Sequence, residues 1–322
     1  MAVYTDVSDA DLAGFLTQYD IGTPVACKGI AEGVENSNFA LKTSAGDFIL
    51  TLYEKRVELV ELPWFLGLMD HLATHGITCP RPVAGRDGGT LRQLRDRPAA
   101  ITTFLPGVWP RAVTTSHADA VGSALASLHR AGQGYAPIRA NALGPAGWLP
   151  LLRRSRSHPA AASLPDGLLE ELDTAARGIL AAWPDGDLPV GHIHADLFPD
   201  NVFFLDGRLS GLIDFYFAAT DLLAYDLAVC INAWCLDDTG ALDATLAARL
   251  TRAYAAARPL TPAERAALPV LAQGAALRFA LTRLYDWLAT PPGALVTRKD
   301  PMAYVRRLRT HQHIRDAAAY GL

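Results

Sequence analysis

The chain has 322 residues, 50% of them hydrophobic and 19% charged, with a formal net charge of −4. That composition excludes wholesale disorder, and its mild acidity offers no electrostatic footprint for nucleic acid or an anionic membrane surface. A chain this long is expected to fold into two lobes, each with its own core. The N-terminal run Met1-Ala-Val-Tyr-Thr-Asp6 lacks the basic and apolar regions of a signal peptide. The most apolar stretch, Phe215 to Trp234, is interrupted by Asp221, Asp226 and Asn232, which argues against a membrane span. The cysteines, Cys27, Cys79, Cys230 and Cys235, form no CxxC pair, so reduced thiols and a cytoplasmic location are expected.

In chain order, Ser8-Asp-Ala-Asp11 reads as a capping box, and Leu12, Phe15, Leu16 and Tyr19 recur at helical spacing until Ile21-Gly22. Gly29-Ile-Ala-Glu-Gly33-Val-Glu35-Asn36-Ser37-Asn38 then reads as a loop able to hold anionic oxygens through backbone N–H groups and short polar side chains. The runs Asn38–Thr43 and Asp47–Tyr53, joined by Ser44-Ala-Gly46, predict an antiparallel hairpin. Leu62, Phe65, Leu66, Met69 and Leu72 predict a helix ending near Gly76, and Ala99–Leu105 predicts a strand. Pro106-Gly107 punctuates the chain, and helical patterns dominate from Ser116 onward. The division is therefore placed between residues 1–105, β-rich, and 106–322, mainly helical: an α+β chain.

The segment His194-Ala-Asp196-Leu-Phe-Pro-Asp-Asn201, with Ile213-Asp214-Phe215 after it, carries the clearest chemistry. Between them Val202–Leu205 and Arg208–Ile213 flank Asp206-Gly207, the pair that favours a two-residue type I′ hairpin turn. Pairing about that turn sets Asn201 opposite Leu212, with Asp214 roughly 7 Å further on, at ~3.3 Å per residue. An amide and a carboxylate so spaced suit Mg²⁺, which takes few protein oxygens and completes its shell with water and substrate phosphates. Asp196, on the loop before the hairpin, is placed to orient a hydroxyl nucleophile and take its proton. His194 lies on the same loop, where a histidine without a catalytic partner braces the backbone.

In this order of features the chain resembles the aminoglycoside-phosphotransferase and choline-kinase superfamily, and more narrowly its bacterial homoserine kinases. The narrower likeness rests on Phe48-Ile-Leu-Thr-Leu-Tyr-Glu54, Glu61-Leu-Pro-Trp-Phe-Leu-Gly67, His194–Phe204, Asp214-Phe-Tyr-Phe-Ala218, Tyr225-Asp-Leu-Ala228, Asn232-Ala-Trp-Cys235 and Arg278–Trp287. The resemblance implies a two-lobed protein-kinase-like fold that transfers the ATP γ-phosphate to L-homoserine, in threonine biosynthesis. It makes Asp196 the base, with His194 beside it, and Asn201 and Asp214 the Mg²⁺ ligands. It places the phosphates at Glu35, Asn36, Ser37 and Asn38, and the adenine near Thr103 and Leu105. Thr51 stands where most kinases of this fold carry a phosphate-binding lysine or arginine. Lys42 is the substitute expected, ahead of Lys55 and Arg56.

Polar residues in apolar C-terminal helices must be paired, because burying an unpaired charge costs several kcal/mol. Asp226 is read as a brace for the catalytic loop, and His129 as packed and hydrogen-bonded. Arg283 and Asp286 are spaced to pair with each other. Asn232 and Arg278 are left as candidates for the substrate, while His311 and His313 are read as solvated. The alternatives are a kinase of the same fold acting on methylthioribose, choline or an aminoglycoside, and a nucleotide-binding pseudokinase. Oligomeric state is not legible.

Overall fold

The computed structural model describes residues 4–30, 36–54, 58–186, 188–290 and 298–322. The chain divides into two units, Met1–Val108 with Phe203–Tyr216, and Trp109–Val202 with Phe217–Leu322.

The first unit opens with helix α1 (Asp9–Leu16), whose capping box is formed as expected: Ser8 accepts from the Asp11 backbone N–H and Asp11 accepts from that of Ser8. Strands β1 (Pro24–Gly29), β2 (Asn36–Thr43) and β3 (Gly46–Tyr53) follow, then helix α2 (Leu62–Thr74) and strands β4 (Arg92–Leu94) and β5 (Arg97–Thr103). The strands form one antiparallel sheet in the order β1-β2-β3-β5-β4. Strand period two sorts the side chains. Phe39 and Leu41 of β2, Leu50 and Leu52 of β3, and Ala99 and Ile101 of β5 meet Leu12, Phe15 and Leu16 of α1 in one core. Each fully buried leucine contributes about 1.5–3 kcal/mol. The opposite face presents Asn36, Asn38, Ala40 and Lys42 against Tyr53, Thr51, Ile49 and Asp47, with Ala100 and Thr102 beyond.

The second unit contributes α3 (Thr115–Gly132), α4 (Pro145–Arg156), α5 (Leu168–Ala181) and β6 (Val190–Ile193). The chain then returns to the first unit through the hairpin β7 (Val202–Leu205) and β8 (Arg208–Leu212). Strand β9 (Ala219–Leu222), which pairs with β6, is followed by α6 (Leu223–Trp234), α7 (Ala244–Ala257), α8 (Pro262–Ala289) and α9 (Met302–Gln312). Every residue of α6 is buried, as expected of a helix apolar all round, and α8 packs on α6, α4 and α9. Helices α3 and α7 cross closely because Gly122 has no Cβ to strike the Leu250 carbonyl. Among the described residues no helix is long and apolar enough to cross a membrane.

Candidate active site

In the second unit, β6 delivers the loop His194–Asn201, which turns through Ala195 at φ +61. That left-handed backbone is costly for alanine and persists because Asp226 holds it. The buried Asp226 carboxylate, in the first turn of α6, accepts the backbone N–H of His194 at 2.7 Å and of Ala195 at 2.8 Å. His129 of α3 reaches the same carboxylate through Nε2 at 3.1 Å, and its Nδ1 lies 2.8 Å from the Tyr254 hydroxyl of α7. Burial alone would raise the Asp226 pKa, but His129 and the loop's hydrogen bonds outweigh it and hold the carboxyl below its ordinary value. Asp226 is therefore the loop brace anticipated from its burial, and His129 is packed and paired.

Asp196 is partly exposed and carries the loop's outward carboxylate. Its backbone N–H donates to His194 Nδ1 at 3.3 Å, so this ring nitrogen is an acceptor that stiffens the loop. Asn201 Nδ2 donates to the Asp196 carbonyl at 2.8 Å and to its carboxylate at 3.3 Å. With the amide protons directed there, the Asn201 side-chain oxygen is left as the ligand-donating end. Arg278 of α8, 4% exposed, places its guanidinium 3.3 Å from the Ala195 carbonyl and 3.5 Å from Asp196 Oδ1, stacked on Phe279. Arg278 thus meets the His194–Asn201 loop itself.

In the first unit, the hairpin turn is the type I′ expected, with Asp206 at φ +50 and Gly207 at φ +75. The hairpin is fixed by reciprocal backbone bonds between Phe204 and Val108, by Ser210 Oγ donating to the Pro106 carbonyl, and by Leu212 donating to Thr78. Leu105 lies over Gly211, where a Cβ would have to displace the end of its side chain. Asp214 follows, exposed and at φ +64, a conformation that strain-bearing functional loops favour. Two residues on, the Tyr216 hydroxyl lies 2.9 Å from that of Tyr53 at the end of β3, and burial pushes the Tyr216 phenol well above its ordinary value.

The segment expected to be a phosphate loop is instead strand from Asn36 onward, and this corrects Ser37. The alternation of β2 turns Ser37 to the face opposite Asn36 and Asn38. There it is fully buried, accepts from the Tyr4 and Thr5 backbone and donates to Glu54. Glu35 and Gly33, like Lys55 and Arg56, lie outside the described residues. Asn38 Oδ1 accepts from Thr51 Oγ1 at 2.8 Å, so Thr51 is engaged with the strand beside it. Lys42 is exposed on this same face opposite Asp47, about 13 Å along the strand from Asn38. Thr103 Oγ1 accepts from the Arg81 backbone, and Phe104 is exposed.

Two further expectations are corrected. Asn232 is not brought to the loop: its amide donates to the Ala228 and Ala272 carbonyls, and its oxygen lies 3.2 Å from His311 Nε2. His311 is fully buried, not solvated. It bridges Asn232 and the Tyr320 hydroxyl, and burial followed by the Arg307 charge pulls its pKa down to about 3. Trp148 is core, with its indole donating to the Leu143 carbonyl. Among the described residues no group of three or more His, Cys, Asp or Glu side chains is placed to hold a metal. Magnesium does not require one, since one or two carboxylates and substrate phosphates suffice.

The model of the phosphotransferase enzyme family matches residues 26–260. The chain belongs to that family. It is 66% identical to a homoserine kinase of Granulibacter bethesdensis and 63% identical to one of Gluconacetobacter diazotrophicus, with both chains covered in full in each case. Among solved structures, an amicoumacin kinase in complex with AMP-PNP, Ca²⁺ and Ami superposes with a TM-score of 0.73 at 14% identity, covering 95% of this chain and 94% of that one. The fold is therefore the α+β, protein-kinase-like fold of this family, and the protein is a phosphotransferase of the homoserine-kinase branch.

Proposed function

We propose that this enzyme transfers the ATP γ-phosphate to the side-chain hydroxyl of L-homoserine, with Asp196 as the base. The observation that carries the reading is the full-length identity of 66% to a homoserine kinase. The loop geometry supports the chemistry. Asp226 clamps two consecutive backbone N–H groups, Asn201 and Arg278 hold the Asp196 carboxylate from either side, and Asp196 remains partly exposed to an acceptor. The hydroxyl oxygen forms the new bond to the γ-phosphorus, the β–γ bridging oxygen leaves with its electron pair as part of ADP, and the hydroxyl proton passes to Asp196. His194 acts by stiffening the loop.

As magnesium ligands we propose Asn201, which offers an oxygen whose amide partner is already engaged, and Asp214, which offers an exposed carboxylate. Bound there, Mg²⁺ would neutralise phosphate charge as it develops. For the nucleotide we propose the sheet face carrying Asn36, Asn38 and Lys42 for the phosphates, and the Thr103–Leu105 strip for the adenine. In this reading residues 1–105 serve the nucleotide and 106–322 supply the catalytic loop and acceptor site. The product belongs to threonine biosynthesis, and the proposed location is the cytoplasm. ADP release should be compared for L-homoserine, L-serine, L-threonine, choline, methylthioribose and kanamycin. Preference for L-homoserine is expected, and preference for another acceptor would overturn the assignment while keeping the phosphotransferase.

A further inference from the structure

Beside Asp196 the second unit gathers more positive charge than its own carboxylates use. Phe198, two residues after Asp196, packs edge-on against Phe279 of α8, and both adjoin Tyr304 of α9. Arginines surround this cluster. Arg278 is committed to Ala195 and Asp196, and Arg307 donates through one terminal nitrogen to the Asn232 carbonyl at 2.6 Å. Arg283, one and a half turns along α8 from Arg278, lies over the Tyr304 ring at 4.4 Å from its centroid, and Arg307 lies at 4.6 Å.

Three donors here lack acceptors among the described residues. Arg283, although spaced to pair with Asp286, has no hydrogen-bond or ion-pair partner among the described residues. The Tyr304 hydroxyl, on a fully buried residue, and Arg307 Nε, on a residue 8% exposed, are buried without hydrogen-bond partners among the described residues. Leaving a buried donor unsatisfied is expensive, and charged donors more so, which makes this convergence a mark of a ligand. Its charge identifies the ligand as an anion. Its location fixes which one: Tyr304 adjoins Phe198, two residues after Asp196, the group proposed to meet the acceptor hydroxyl. Burial holds the Tyr304 phenol up at about 12, so it remains a donor at neutral pH, and burial lowers Arg283 while leaving it cationic.

We infer that Arg283 and the Tyr304 hydroxyl, backed by Arg307, form the subsite that binds the α-carboxylate of the amino-acid acceptor and so excludes amino alcohols that lack it. The inference rests on the acceptor proposed above and adds to it: the residue that selects an amino acid is Arg283, and Arg278 positions the base. A guanidinium fork takes a carboxylate through two parallel hydrogen bonds, and a phenol O–H adds a third.

The test is steady-state kinetics at saturating Mg·ATP with L-homoserine and with 3-aminopropanol, its analogue without the carboxylate. Wild type, Arg283→Met, Arg283→Lys and Tyr304→Phe are compared, with melting curves for each. Arg283→Met is expected to raise the KM for L-homoserine about 100-fold, Tyr304→Phe and Arg283→Lys about tenfold, with kcat and the KM for ATP changed far less. The penalty for 3-aminopropanol should be smaller by a similar factor, so discrimination between the two acceptors collapses. Equal loss on both acceptors, or a KM for L-homoserine within threefold of wild type in Arg283→Met, overturns the subsite. A wild-type enzyme that prefers 3-aminopropanol, or uses neither, overturns the acceptor assignment itself.

Discussion

Replacing Asp226 with asparagine should dismantle the His194–Asn201 loop from beneath. The carboxylate accepts two backbone N–H groups, at 2.7 and 2.8 Å, and pairs with His129 at 3.1 Å, all without solvent. An amide of the same shape has one oxygen. Whichever way it turns, its NH₂ faces a donor, and one loop N–H loses its acceptor at a cost of about 1–3 kcal/mol. Losing the buried charge opposite His129 adds to this, and breaking such a pair typically costs about 3–5 kcal/mol in all. Melting should therefore fall by roughly 6–20 °C, at about 2–4 °C per kcal/mol for a unit of this size. Because Ala195 keeps φ +61 only while held, kcat should fall with it under conditions where the variant is still folded. Thermal and urea melts, with turnover at a temperature below the transition, provide the assay. A variant that melts within 2 °C of wild type and turns over normally would refute the brace.

The pH dependence of stability should carry the signature of His311. Its folded pKa, about 3, lies below the ordinary 6.5, so its stabilising contribution is complete above pH 6.5 and is lost as the pH falls toward 3. Between pH 7 and 5 urea melts should show a loss of about 2 kcal/mol, absent in His311→Gln; an equal loss in that variant would contradict the burial argument. Asn201→Ala should raise the Mg²⁺ concentration for half-maximal activity by at least about tenfold with little effect on the KM for L-homoserine. An unchanged magnesium titration would move the metal to other residues.

Much of this was legible in the chain because it is local. The capping box at Ser8, the type I′ turn at Asp206-Gly207, and the close spacing of Asp196 and Asn201 each depend on a few consecutive residues. Asp226 was legible for a different reason: a carboxylate in an apolar helix has to be paired. What escaped depends on distant partners. Strand β1 is an edge strand whose mostly exposed residues show no alternation, so it reads as loop. Once β2 begins at Asn36, period two decides that Ser37 and Asn38 face opposite ways, which a loop reading cannot foresee. Asn232 looked like a substrate contact because its acceptor on α8 lies 40 residues away, and Arg278 reaches a carbonyl 83 residues before it. His311 looked solvated because its helix is basic, yet that helix lays Tyr304, Leu308 and His311 into the core.

The central proposal is that Asp196 serves as the base when the ATP γ-phosphate passes to the homoserine hydroxyl, and phosphorus NMR of Mg·ATP with L-homoserine tests it directly in wild type and Asp196→Ala. The account predicts an O-phosphohomoserine resonance growing in step with ADP for wild type, and a rate lower by about 100-fold or more in the variant, measured below its melting transition. An O-phosphohomoserine signal that grows as fast in Asp196→Ala, or that fails to form in wild type while ATP is turned over on another acceptor, would contradict it.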